Sequence, residues 1–454
     1  MSREEGRDPA RLTRRSFLHG SSIGLLAAAG AAGAAGAAAA PRGTLGTGAG
    51  VDAASALGDR EITVALVGCG GRGTGAAAQV LATTGQVRLV AMADAFENRL
   101  AESLETLIEH SGKRVDVPQE NRYVGFDGYR RAIESGADLV ILATPPGFRP
   151  AHFEHAVAQG RHVFMEKPVA VDAPGVRRVL AASAAADSRG LKVGVGLQRH
   201  HDPAYLETVA RLRDGAIGEL LAYRVYWNSS GVWVNPRQAG ESEMTYQMRN
   251  WYYFNWLCGD HIVEQHIHNM DVANWLQGAY PVEAQGQGGR EVRRGPQHGE
   301  IYDHFSVEYT YADGAVMLSQ CRHIPDCWES VAEHVHGSRG TADVSGGIIR
   351  PRGGEVWRWR EEPADPYQLE QDALLAAIRA GTPCNETENG AKSTLTAILG
   401  RMAAYSGQRV TWDQALLSNL DLSPARLDWE ADPPVLPGPD GEYPVAVPGQ
   451  SEAL

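Results

Sequence analysis

The chain has 454 residues and a formal net charge of -13, which is too long for one compact core and suits two or three domains. An acidic balance of this size excludes association driven by phosphate neutralisation, so no nucleic-acid partner is expected. The 5 cysteines (Cys69, Cys258, Cys321, Cys327, Cys384) are odd in number and, apart from Cys321 and Cys327, widely scattered; this excludes a disulfide scaffold or a zinc ribbon.

At the N-terminus, Thr13-Arg14-Arg15-Ser16-Phe17-Leu18 leads into an Ala/Gly-rich run over residues 21–40. The pattern reads as a twin-arginine export signal, so residues 1–60 are assigned to signal and linker and the protein is expected to be periplasmic or otherwise extracytoplasmic. Alanine and glycine transfer only weakly into lipid, and no stable membrane insertion is expected. A route that carries folded proteins allows a cofactor to be bound before export.

Residues 61–185 alternate short apolar runs (62–67, 87–93, 139–143, 162–165, 193–197 just beyond) with helical spacing (75–83, 99–110, 152–159). This predicts a doubly wound parallel sheet covered by helices, a Rossmann domain. The first strand runs directly into Gly68-Cys69-Gly70-Gly71-Arg72-Gly73, with a small-residue helix opening at Thr74. In this G-x-G-x-x-G turn Gly68 allows the tight bend, Gly70 lets backbone amides approach a pyrophosphate, and Gly73 permits close packing of helix on strand. Asp94, 21 residues after Gly73, ends the second strand where a carboxylate can bind ribose hydroxyls. Gly68, Gly70, Gly71, Arg72, Gly73 and Asp94 are therefore the expected cofactor contacts. The acid favours NAD; NADP is the alternative, with Arg72 and Arg99 as cations for an extra phosphate.

Residues 186–430 carry longer alternating strands (220–228, 305–311, 315–321) interrupted by helical stretches (263–276, 366–380, 391–405). Ala312-Asp313-Gly314 is a hairpin signal. An α+β domain with an open, largely antiparallel sheet and helices on one side is predicted, making the whole chain α/β. Residues 431–454 contain Pro433, Pro434, Pro437, Pro439, Pro444 and Pro448, and are expected to form an irregular tail, with wrapping of a neighbouring subunit as one role.

The triplet Glu166-Lys167-Pro168, with Ala143-Thr144-Pro145-Pro146 and His152 upstream, gives the chain a specific likeness. Further along come Gly259-Asp260 leading into Glu264, His268 and Asp271, then Gly390-Ala391 and Ala403-Ala404-Tyr405-Ser406-Gly407. Over about residues 61–425 the chain resembles the glucose-fructose oxidoreductase and inositol dehydrogenase (Gfo/Idh/MocA) family. The resemblance implies that Thr144 and Pro145 line the nicotinamide ribose, that Glu166 belongs with the cofactor contacts, and that Lys167 stands beside the nicotinamide and hydrogen-bonds a substrate hydroxyl. It implies also that an acid and a histidine at the spacing of Glu264 and His268 carry a proton relay. The acid is usually Asp, so Glu264 is a departure. His268 is the expected general base.

On one continuous helix Glu264 and His268 share a face, and Glu264 is expected to orient His268. Trp251, Tyr252 and Trp256 are expected to stack on a sugar ring, against the alternative that this aromatic run is core. Arg199 and His200, just after the strand ending near residue 197, are expected as substrate contacts, against the alternative of a solvated cluster. A metal held by His261, Glu264, His266 and His268 is not expected, because His266 and His268 point to different helix faces. The expected reaction is hydride transfer between a sugar or cyclitol hydroxyl and a tightly bound nicotinamide cofactor. The alternatives are a redox-neutral, NAD-dependent glycoside hydrolase or lyase and a periplasmic sugar-binding protein that retains NAD structurally. By analogy with the family, a homo-oligomer is expected.

Overall fold

Apolar runs without polar alternation can be satisfied only where both faces of a sheet are covered, and the first half of the chain is built from such runs. The computed structural model describes residues 56–452; the expected export signal lies outside the described residues. In chain order the elements are β1 (Ile62–Val67), α1 (Gly71–Ala82), β2 (Val87–Asp94), α2 (Glu97–Ser111), β3 (Arg122–Val124), α3 (Gly128–Glu134), β4 (Leu139–Leu142), α4 (Arg149–Ala158), β5 (His162–Met165), α5 (Ala173–Ser188) and β6 (Val193–Val195). The six strands pair in parallel in the order β3-β2-β1-β4-β5-β6. The order reverses between β1 and β4, and the connections leaving these two strands pass to opposite faces. This opens a crevice at their carboxyl ends, where such sheets bind ligands.

The second half continues with α6 (Pro203–Arg213), β7 (Leu220–Ser229), α7 (Glu243–Arg249), α8 (Asn255–Cys258), α9 (His261–Glu264), α10 (Ile267–Gln277), β8 (Glu283–Gly289), β9 (His304–Thr310), β10 (Val316–His323), β11 (Ser330–Gly337), β12 (Gly340–Asp343), β13 (Ile348–Pro351), β14 (Trp357–Arg358), α11 (Pro366–Ala380), α12 (Thr387–Ser406), β15 (Val410–Thr411) and α13 (Trp412–Leu417). The nine strands form one sheet, β14-β13-β12-β11-β7-β10-β9-β8-β15. All neighbours are antiparallel except β7 and β10, in line with the largely antiparallel sheet expected. The Asp-Gly turn joins β9 to β10, with Gly314 at φ +89°. Alternation sends Tyr223, Val225, Phe305, Val307, Tyr309 and Met317 inward, where they share a core with α10 and α12. Close approach of α12 depends on Gly400, where a Cβ would stand 1.9 Å from the Tyr309 hydroxyl.

Two departures from the sequence expectation matter for the site. The helix expected over residues 263–276 is two helices, α9 and α10, parted at Gln265 and His266. The Glu264 carbonyl receives the Lys167 ammonium at 2.5 Å, and the His266 amide reaches back to His261 O at 3.2 Å, a one-turn widening that ends the first helix. The other departure is α11, placed by the sequence within the 186–430 range. Its Leu374, Leu375 and Ile378 pack into the core of the parallel sheet beside Ile62, Leu66 and Val80.

Candidate active site

The glycine turn after β1 has the geometry its residue types dictate. Gly68 has φ +97°, and a Cβ there would stand 2.6 Å from the carbonyl carbon of Ala143; only a glycine lets β1 and β4 end side by side. At Gly73 a Cβ would fall 1.9 Å from Gly68 O, whereas at Gly70 and Gly71 it would meet nothing within 4 Å. The turn is thus closed behind and open in front. The open side faces the start of α1, which has no side-chain cap, so first-turn amides and the helix dipole are presented to an anion. Asp94 accepts hydrogen bonds from the amides of Cys69 (2.7 Å) and Phe96 (2.9 Å), which fixes the carboxylate beside the turn and leaves lone pairs for hydroxyl donors. Burial raises its pKa against the pull of those amides. These residues fit a dinucleotide. Arg72 turns the other way: its Nε lies 2.5 Å from Glu166 Oε1, another nitrogen 3.4 Å from Glu370 Oε1, and its guanidinium 4.7 Å from the Tyr367 ring centre. Its charge is paired with two carboxylates.

Across the crevice, Arg149 ties the ends of β4 and β5 together. Only 1 % exposed, it donates to Thr144 O at 2.5 Å and to Glu166 O at 3.0 Å, so the residues that follow, Pro145 and Lys167, enter the crevice from fixed points. Burial brings its pKa down to about 10 against the attraction of Glu166. The Thr144 hydroxyl lies 3.2 Å from His152 Nδ1. His152 stacks on Tyr129 at 3.9 Å, and burial, then Arg149, hold it neutral.

Lys167 Nζ donates to Glu264 Oε1 at 3.1 Å as well as to the Glu264 carbonyl. Burial raises the Glu264 pKa although Lys167 opposes it. His268 lies at the start of α10, 7 % exposed, with its ring stacked on Trp227 of β7 at 6.0 Å and 25°. Burial first, then the charges of Lys167, Arg199 and Arg72, hold it well below the ordinary imidazole range, so the ring is neutral. Its Nδ1 is buried and finds no hydrogen-bond partner among the described residues, which leaves Nε2 as the nitrogen with access to the crevice. The structure therefore brings Lys167, Glu264 and His268 together. It corrects one role: with the helix broken between them, Glu264 bonds Lys167 and does not orient His268.

The expected sugar contacts divide. Arg199 and His200, in the single turn Gln198–His201, reach α10 from behind. Arg199 bonds Glu333 at 2.5 Å, and Glu333 in turn accepts from Asn269 at 2.5 Å and Tyr205 at 3.0 Å. His200 bonds Asp271 at 2.7 Å; burial opposes its charge, but Asp271 raises its pKa overall. Glu333 and Asp271 are each 1 % exposed, and buried acids need such partners. Both residues thus position the helix that carries His268. Tyr252 and Trp256 are each 3 % exposed and are absorbed by the core: Trp256 donates to Gln247 at 2.7 Å, and the Tyr252 hydroxyl donates to Gln265 at 2.9 Å. Trp251 alone of the three is only partly covered, edge-on to Trp233 at 5.9 Å. His266 and His261 are held by Ser319 and Asp260, and among the described residues no group of three or more His, Cys, Asp or Glu is arranged to hold a metal ion.

Comparison with known proteins decides the class. Residues 62–197 match the model for the oxidoreductase family with an NAD-binding Rossmann fold, and residues 205–343 match the GFO/IDH/MocA C-terminal domain. The chain belongs to the Gfo/Idh/MocA family. It is 26% identical to an inositol 2-dehydrogenase of Acidothermus cellulolyticus over 332 residues, covering 71% of this chain and 86% of the relative. To an inositol 2-dehydrogenase of Rhizobium meliloti it is 25% identical over 333 residues, 70% and 89% of the two chains. Among solved structures, an aldose-aldose oxidoreductase from Caulobacter crescentus complexed with glycerol superposes with a TM-score of 0.61 at 22% identity, covering 78% of this chain and 100% of that one. A levoglucosan dehydrogenase in complex with NADH and levoglucosan gives 0.62 at 16%, with the same coverage; these show the shared fold. The parallel sheet is accordingly an NAD-binding domain, and the chain is an oxidoreductase of this family.

In this Gfo/Idh/MocA member, Arg149 and Trp227 are site residues that sequence reasoning missed. Arg149 had a signal: a cation as the first residue of a helix opposes the helix dipole, so it needs another reason to be there. Trp227 had none, because a tryptophan in an alternating strand reads as ordinary core. Val331, paired in register with Trp227, is 42% exposed and marks where the sheet opens beside His268.

Proposed function

We propose that this oxidoreductase takes hydride from a carbinol carbon of a sugar or cyclitol, with NAD seated along the glycine turn and its nicotinamide reaching the crevice between Lys167 and His268. When bound, the nicotinamide supplies the hydride acceptor. Lys167 Nζ, held by Glu264, donates a hydrogen bond to the substrate oxygen, and the neutral His268 accepts the hydroxyl proton at Nε2 as the carbonyl forms. Thr144, Pro145 and Glu166 flank the cofactor side. Trp227, with Trp251 at the rim, offers apolar faces to the ring of the substrate. The observation that carries this reading is the Lys167–Glu264 pair at 3.1 Å beside a neutral histidine, at the carboxyl edge of an NAD-binding sheet. The dehydrogenases of inositol and levoglucosan among the relatives support the substrate class. The test is a panel of cyclitols, aldoses and anhydrosugars with added NAD: wild-type protein is expected to reduce NAD with at least one of them and Lys167→Ala with none, and turnover unchanged in the variant would overturn the assignment.

We propose further that the protein is exported through the twin-arginine route and works outside the cytoplasm as a homo-oligomer. The Arg14-Arg15 motif supports export; replacing both by lysine is expected to leave the protein in the cytoplasmic fraction. Leu318 on the outer face of the nine-stranded sheet is 40% exposed, and Trp328, in the connection between β10 and β11 and edge-on to Tyr226 of β7, is 63% exposed; this supports association through that face. Among the described residues no helix is long and apolar enough to cross a membrane.

A further inference from the structure

The Pro-rich C-terminal residues return over their own chain and run past the nucleotide end of the crevice. Residues 419–452 contain no helix or strand, as seven prolines dictate. Even so, they are tied at intervals. Leu422 N donates to Asp172 Oδ2 at 2.9 Å in the NAD-binding domain. Trp429 O and Val435 O accept from Ser242 and Gln247, each at 2.7 Å, in the second domain. Tyr443, 3% exposed, packs edge-on to Phe254 at 5.0 Å and bonds Arg237 at 3.1 Å. Ala446 O accepts from Tyr302 at 2.8 Å. An irregular segment with this many side-chain and backbone anchors is part of the folded structure.

What this strap covers is specific. The Trp429 ring lies 5.3 Å from Phe96 and 4.4 Å from Phe126. Phe96 follows Asp94 by two residues and donates its amide to that carboxylate; Phe126 follows β3, the neighbour of β2. Phe126 in turn lies 6.4 Å from Phe148, which stacks 5.9 Å from His152, the partner of Thr144. The tail tryptophan therefore caps an aromatic row that begins two residues from Asp94, the acid at the end of β2 where the adenosine ribose of a dinucleotide is held in such a sheet.

We propose that residues 419–452 are a built-in component of the dinucleotide site: a strap, with Trp429 as its latch, that holds the adenosine end of NAD in place and slows its release. The proposal rests on the reading that the glycine turn seats NAD. Contacts that form around a bound ligand act mainly on its dissociation rate. A slow release suits an enzyme that is loaded before export and has no nucleotide pool at its destination.

The experiment compares wild type with Trp429→Ala and Trp429→Phe in the full chain, measuring NADH bound per chain after extended dialysis, the rate of NADH release on dilution into excess NAD, and the unfolding midpoint of each nucleotide-free protein. Expected are slow release from wild type, release at least tenfold faster from Trp429→Ala, and near-wild-type release from Trp429→Phe, whose ring can still pack on Phe96 and Phe126. Release from Trp429→Ala at the wild-type rate, or a lowered midpoint without faster release, overturns the strap while leaving the nucleotide site intact. Failure of wild type itself to bind NADH overturns both.

Discussion

The glycine turn at residues 68–73 and the segment over residues 251–271 supply the two walls of the same crevice, but they are built in opposite ways. The first is made of backbone: its function follows from where side chains are missing, from φ +97° at Gly68, and from the direction of α1. The second is made of side chains whose roles depend on distant partners. Lys167, 97 residues away in sequence, bonds Glu264 at the point where the helix breaks. Arg199 and His200 reach Asn269 and Asp271 on the next helix, the first of them through Glu333. A backbone site is local, and at Gly68 and Gly73 it has no room for a side chain. A side-chain site can be spread over the whole fold, and each member is exposed to the loss of any other.

The sharpest way to separate the two walls is Lys167→Ala. It removes a group in contact with the reacting atoms and leaves the nucleotide wall alone, so kcat/KM is expected to fall about 10³-fold while NAD bound per chain, measured by extraction, stays at the wild-type value. Next is Arg199→Met. It strands the buried Glu333, and urea unfolding is expected to show a loss of about 3 kcal/mol, with kcat lowered because α10 loses its anchor. In the backbone wall, Gly73→Ala and Gly70→Ala should part company. The first forces a Cβ to 1.9 Å from Gly68 O and is expected to lower the melting temperature. The second faces open space, and is expected to leave the melting temperature unchanged while weakening NAD at least tenfold, about 1.4 kcal/mol, in calorimetry. If both alanines behaved alike, the distinction between the closed and open sides of the turn would be lost.

The smallest effect concerns pH. Glu300 accepts the Asn255 amide at 2.9 Å, and burial raises its pKa from 4.5 to about 7. Because the folded value lies above the unfolded one, the folded state prefers the protonated form: its contribution is complete below pH 4.5 and is lost as pH rises through 7. Glu300→Gln keeps an acceptor for the amide and removes the charge. It is expected to match wild type in acid and to gain about 1–2 kcal/mol above pH 7, read from melting curves across that range.

The contrast also explains what could be read in the residues alone. The parallel sheet, the turn, Asp94 and the hairpin at Gly314 were legible because each depends on local spacing and on residues with restricted backbone geometry. Lys167, Glu264 and His268 were legible as a set only through family likeness, and the relation among them came out differently, since periodicity cannot show that an ammonium will take the carbonyl of Glu264 and break the helix. Tyr252 and Trp256 were misplaced because a large aromatic side chain fits a buried core as well as a sugar face. The path of the Pro-rich tail was invisible, since proline excludes helix and strand without saying where the chain goes.

The claim on which the rest depends is that NAD in the glycine turn meets the substrate between Lys167 and His268. It is tested most directly by mixing protein carrying its bound NAD, without added nucleotide, with the substrate identified from the panel, and following nicotinamide reduction in a single turnover. One nicotinamide per chain is expected to be reduced in wild type, and none on that timescale in Lys167→Ala or His268→Ala that retain the nucleotide. Equal reduction in those variants, or an oxidised nicotinamide in wild type while the substrate is consumed, would contradict it.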